Sequence, residues 1–160
     1  MDHVDRILAQ WQAARPDLDV SPMGIMGRLK RLQVHLARQL ETVFSQHELN
    51  AASFDVLATL RRSGPPYALS PSDLMDWTMV SSGTMTNRID RLAQAGFVSR
   101  ERNPEDRRGF VVALTDKGFE LINRAVSAHV DNQHKLISGL SDEERAQLDH
   151  LLSRWLSDFE

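Results

Sequence analysis

Cysteine is missing from all 160 positions of the chain. That absence excludes disulfides, thiol catalysis, thiolate metal sites and cysteine-based redox sensing. No apolar run approaches membrane-spanning length, and the start, MDHVDRILAQ, has no signal-peptide core. The expected location is therefore the cytoplasm, with no membrane partner. Nucleophile elbows, phosphate-cradling glycine loops and paired His ligands at zincin spacing are also lacking. His129 and His134 are five apart and so off a common helix face, which suits surface or dimer-side histidines. His35 and His47 have no acidic or His partner at ligand spacing on the same helix, and Ser81-Ser82-Gly83 reads as a helix start. An enzyme is not expected, nor any metal or cofactor.

The formal charge of −3 argues, taken alone, against a nucleic-acid partner. Its distribution argues otherwise. Ser81 to Gly118 holds seven Arg and Lys against five Asp and Glu, a local +2, whereas Ser141 to Glu160 holds two against six, a local −4. Arg28 to Arg38 carries four basic residues and no acidic one. A molecule acidic on average can still present a basic face.

The length fits one domain with apolar content left over for a partner. Val4, Ile7, Leu8 and Trp11 predict a short amphipathic helix over about residues 3–14. A long second helix is expected from Ser21 as cap and Pro22, with the stripe Ile25, Leu29, Leu32, Leu36, Leu40, Val43 and Phe44. Phe54, Val56, Leu57 and Leu60 mark a third helix, ended by Ser63-Gly64-Pro65-Pro66. Ser70-Pro71-Ser72 caps a fourth through about Trp77, and Ser81 or Ser82 opens a fifth whose apolar face, Met85, Ile89 and Leu92, stops at Gly96. Phe97–Glu101 and Phe110–Leu114 are strand candidates around a turn. Thr115 caps a long helix to about Ser138, and Ser141 to Glu144 forms a capping box before a last helix carrying Leu148, Leu151, Leu152, Trp155, Leu156 and Phe159. Wide apolar faces on terminal helices have little core to cover in so small a domain. A twofold pair would bury them; a monomeric helical bundle is the alternative.

Two short helices separated by a tight turn fit a helix-turn-helix, whose second helix enters the major groove. Ser70 and Ser72 stand at the start of the first. The second opens on Ser81, Ser82, Thr84, Thr86, Asn87 and Arg88, followed by Arg91, which are donor and acceptor types used on base edges and phosphates. Polar residues at a helix start also serve merely as caps. Beyond it, Arg100, Arg102, Arg107 and Arg108 crowd a turn between strands, with Asp106 placed to orient a guanidinium toward a narrow, electronegative minor groove.

The run Asn103-Pro-Glu-Asp-Arg-Arg-Gly109, followed by Val111-Val-Ala-Leu-Thr-Asp-Lys-Gly118, resembles the wing and following helix start of MarR-type regulators. Ser82 to Leu92 resembles their recognition helix, and the likeness covers roughly Pro22 to the C-terminus. It implies a mainly α fold, a winged helix-turn-helix with a short β wing between dimerising terminal helices. It further implies a homodimer, usually a repressor, on palindromic double-stranded DNA, released by a small molecule or oxidant. Arg108 would enter the minor groove, Asp106 would orient it and Arg107 would lie near phosphate. On this reading residues 1–48 serve dimerisation and a ligand pocket, 49–115 the DNA-binding lobe, and 116–160 dimerisation.

The added N-terminal helix, Phe54-Asp55-Val56-Leu57 and Arg61 to Tyr67 look like the subgroup of that family answering to urate and related purines. The resemblance implies a ligand site of Trp11, Asp55, Arg88 and Arg100. A flat anionic purine can stack on an indole and accept from guanidinium groups while a carboxylate takes its ring N–H. Trp11 as a plain apolar anchor and Asp55 in a structural salt bridge with Arg88 or Arg100 remain alternatives. So does a winged-helix module that dimerises or binds protein without specific DNA contacts, which salt dependence would tell apart.

Overall fold

The computed structural model describes residues 1–79, 85–103 and 109–160, and the chain falls into two compact units, Met1–Gln39 and Leu40–Glu160.

The first unit is built from helix α1 (His3–Ala14) and most of α2 (Ser21–Gln46). Asp2 caps α1: its carboxylate accepts the Val4 and Asp5 N–H groups at 2.7 and 2.9 Å, while Asp5 accepts the Asp2 N–H at 2.7 Å. The two helices approach where α2 carries glycine. A Cβ on Gly27 would lie 3.2 Å from Val4 Cγ1, and one on Gly24 would lie 3.3 Å from Leu8 Cδ1. Arg28 then ties α2 to the cap of α1, donating to Asp2 at 2.8 Å and also to Asp5. The backbone N–H of Asp5, ahead of Arg28, holds the Asp2 carboxyl below its usual range. Ser21 is the first helical residue rather than the cap. Asp19 supplies the acceptor, taking the Ser21 N–H at 3.0 Å.

The second unit contains the end of α2, then α3 (Ala51–Arg62), β1 (Ala68–Leu69), α4 (Pro71–Trp77), α5 (Met85–Gln94), β2 (Val98–Arg102), β3 (Phe110–Leu114), α6 (Asp116–Leu136) and α7 (Asp142–Leu156). The sheet runs β1-β3-β2, antiparallel throughout, with Val98 opposite Leu114, Arg102 opposite Phe110 and Leu69 opposite Val112. Strand β1 has no counterpart among the sequence expectations, because two residues leave no alternation to read.

The core is formed by α3, α4, α5, α6 and the sheet. Val56, Leu57, Leu60, Leu74, Ile89, Val112 and Ile122 are fully buried, each such aliphatic side chain contributing about 1.5–3 kcal/mol. His129 lies in this unit against Phe44 and Phe54, with ring centroids 5.2 and 4.7 Å away. It is therefore half-buried in an aromatic cluster instead of standing on the surface. By contrast α7 buries no residue, Phe159 falls beyond its end, and Leu148, Leu151, Leu152 and Leu156 are exposed. On α2 the same holds for Ile25, Leu32 and Leu36 of the expected stripe, whereas Val43 and Phe44 are buried.

Candidate nucleic-acid interface

Helices α4 and α5 stand in helix-turn-helix order, and each is held by one inner face. In α4 the anchor is Leu74, fully buried, behind a start capped by Ser70, whose hydroxyl accepts the Asp73 N–H at 3.2 Å. That hydroxyl also donates to the Asp73 carboxylate at 2.6 Å and lies 2.9 Å from Ser72 Oγ. Ser70 is thus already occupied within its own helix start, while Ser72 is exposed.

Two side chains of α3 hold the chain as it leaves α4. Arg62 donates to the Trp77 carbonyl, and Asp55 Oδ2 accepts the Met79 N–H at 2.8 Å. Asp55 is consequently a clasp on the segment that leads into α5. It does not pair with Arg88 or Arg100.

In α5, Met85, Ile89 and Leu92 recur at i, i+4 and i+7 and are buried, which turns Thr86, Asn87 and Arg91 outward, all exposed. Arg88 is half-buried on the flank. With Arg91, Asn87, Asn50, Ala52 and Ser53 it lines a cleft of about 160 Å³, and its Nη1 is buried with no hydrogen-bond partner among the described residues. Ser81, Ser82 and Thr84 lie outside the described residues.

The hairpin is fastened to α5 at its base and midway along β2. At the base Gly96, with φ +76°, turns the chain out of α5, and the Thr115 hydroxyl donates to its carbonyl at 2.7 Å while accepting the Gly118 N–H at 3.0 Å. Gly118 is required there, since a Cβ would stand 1.9 Å from the Phe97 carbonyl oxygen. Further out, Arg100 of β2 donates to Asp90 of α5 and lies over the Phe110 ring at 5.3 Å. Arg102 is exposed and, with Ser70, Asp73, Glu101 and Asn103, borders a groove of about 530 Å³ along the sheet. Asp106, Arg107 and Arg108 fall outside the described residues. Trp11 lies on α1 in the first unit, 41% exposed.

Three functional contacts escaped sequence reasoning. Asp90 as the partner of Arg100 sits ten residues away across a turn, so no periodicity links them. Asn50 and Ser53 carry no reading in the sequence, and it is the fold that places them beside α5. No group of three or more potential metal ligands occurs among the described residues.

A three-stranded antiparallel sheet whose β2–β3 hairpin adjoins the second helix of a helix-turn-helix defines a winged helix-turn-helix protein. Residues 49–110 match the model of the MarR family. The chain is 48% identical to the HTH-type transcriptional regulator PecS of Dickeya dadantii (strain 3937) over 151 residues, covering 94% of this chain and 91% of that protein. Among solved structures it resembles a mutant MarR from E. coli complexed with operator DNA, with TM-score 0.74 and 30% identity over 87% of this chain and 99% of that one. It also resembles Bordetella bronchiseptica BpsR, whose DNA binding is regulated by 6-hydroxynicotinic acid, with TM-score 0.73 and 28% identity over 84% and 93% of the two chains. The chain belongs to the MarR family. It is a DNA-binding transcriptional regulator, not an enzyme.

Proposed function

We propose that this regulator is a ligand-responsive repressor that binds a palindromic operator as a homodimer and leaves it when a small anionic aromatic effector, of the urate and purine class, is bound. The observation that carries the DNA half is the outward face of α5: Thr86, Asn87 and Arg91 are exposed together, on the helix that a helix-turn-helix lays in the major groove. Ser72 adds an exposed hydroxyl at the start of α4, Ser70 serves through its cap, and Ser81, Ser82 and Thr84 are further candidate DNA contacts. Arg102, Arg107 and Arg108 of the wing reach the flanking backbone and minor groove, with Asp106 orienting Arg108. The bare apolar faces of α2 and α7 support pairing, because so many exposed large apolar residues are unusual on a free surface.

For the effector, Asp55 offers an acceptor, and Arg88 and Arg100 offer donors. The clasp between Asp55 and Met79 suggests how such a ligand would act. An effector N–H that takes the Asp55 carboxylate frees the Met79 N–H, and with it the segment entering α5. The equilibrium then shifts by as much as the effector prefers the released form. The regulation of BpsR by 6-hydroxynicotinic acid supports an effector of this flat, anionic kind.

The test is a mobility shift with the regulator's own upstream DNA, then titration with urate or xanthine while Trp fluorescence and operator release are followed. Release with a fluorescence change supports the reading. Operator binding that ignores both purines at millimolar concentration removes the effector class.

A further inference from the structure

The groove along the sheet has a volume of about 530 Å³, a size that suits a small organic molecule. Its floor follows from strand alternation. Val98 and Val112 turn into the core, so Glu101 with its partner Val111, and Ala113 with its partner Ala68, share the opposite face. Two alanines among these four leave the face hollow. Asp73, in the first turn of α4, stands on the groove wall, as does Glu101. Each carboxylate accepts one hydroxyl, from Ser70 at 2.6 Å and from Ser99 at 3.0 Å, and a hydroxyl cancels no charge. Among the described residues neither acid forms an ion pair. Arg102 also borders the groove, but successive strand residues point to opposite faces, and it pairs with neither acid. The groove therefore carries two carboxylates against one guanidinium, above a floor of small apolar side chains.

We propose that this groove is a second small-molecule site, one that takes an aromatic amine. The flat body of the ligand lies on Ala68, Val111 and Ala113, and its ammonium group donates to Asp73 and Glu101. One ammonium balances the excess negative charge of the groove, whereas a carboxylate would meet two groups of its own sign. The ligand is thus opposite in charge to the effector proposed above, and the groove shares no residue with Asp55, Arg88 or Arg100. Binding here needs no DNA, so it stands or falls apart from the operator reading.

The experiment titrates the whole chain, free of DNA, with tryptamine and with indolepropionate by isothermal titration calorimetry. The two probes share an indole and differ in the sign of their charge. Glu101→Gln and Asp73→Asn keep the shape of each side chain and remove its charge. Both positions are exposed, so the fold is retained, which circular dichroism checks. The expected result is that tryptamine binds once per subunit and that each substitution weakens it by roughly two- to fivefold, the scale of an exposed ion pair. The double variant weakens it further. Any heat from indolepropionate is the same in wild type and in both variants. Three outcomes overturn the proposal: no tryptamine binding at millimolar concentration, tryptamine affinity that both substitutions leave alone, or indolepropionate binding that they weaken equally. If Asp73→Asn disturbs the start of α4, Glu101→Gln on the sheet decides the matter.

Discussion

Arg100, on the first strand of the wing, donates to the carboxylate of Asp90 on the recognition helix α5. The pair joins the second helix of the helix-turn-helix to the wing hairpin. With side chains 40% and 42% exposed, it is screened by solvent, and such exposed pairs are worth about 0–1 kcal/mol. Its consequence is the angle between helix and hairpin, fixed from the inside by Thr115, Gly96 and Gly118 and from the outside by this ion pair.

Breaking the pair should therefore cost little stability and more function. Asp90→Asn is expected to lower the urea midpoint by under about 1 kcal/mol equivalent while weakening operator binding several-fold, read by fluorescence anisotropy. A variant with unchanged operator affinity would show that the hairpin needs no such tether.

Arg108→Ala should weaken operator binding by about 1–3 kcal/mol, the usual cost of one lost specific contact. Anisotropy at fixed moderate salt, with dimerisation checked by analytical ultracentrifugation, provides the measurement. Wild-type affinity in a dimeric variant would remove Arg108 from the wing contact.

Asp55→Ala should weaken operator binding even without effector and blunt any further effector response, because the carboxylate that clasps Met79 is gone. Release curves with urate for both proteins check this. An unaltered curve would separate Asp55 from effector sensing.

Gly118→Ala places a Cβ where only 1.9 Å separates it from the Phe97 carbonyl oxygen. Backbone must move, and the expected loss is about 1–3 kcal/mol or more in urea unfolding. A loss under half of that would mean the start of α6 is free to shift.

Desolvation lowers the His129 imidazole below its ordinary 6.5. In that window the unfolded chain binds the proton more readily. The stabilising contribution is thus present above about 6.5 and lost as the pH falls toward the folded-state value. His129→Phe keeps the stack with Phe44 and Phe54 and should flatten that decline. Parallel urea midpoints of the two proteins from about pH 7.5 to pH 5.5 would rule out His129 as the cause.

Local chemistry made most of the fold legible. Ser141 with Glu144, Thr115 with Gly118, and Ser70 with Asp73 are caps whose partners lie three residues away, and Met85, Ile89 and Leu92 repeat at helical spacing. Those interactions close within a turn or two, so the order of residues determines them, and with them the helix-turn-helix, the hairpin and the outward polar face of α5. What lies far apart in sequence was decided only by folding. The two-residue β1 exists because β3 offers it a partner. Asp55 spends its carboxylate on Met79, not on an arginine, because the exit from α4 passes beside α3. His129 enters an aromatic cluster because α6 crosses Phe44 and Phe54. Arg88 finds Ser53 and Asn50 because α3 starts where α5 turns its flank. Each of these rests on distances between elements, which packing sets and spacing along the chain does not.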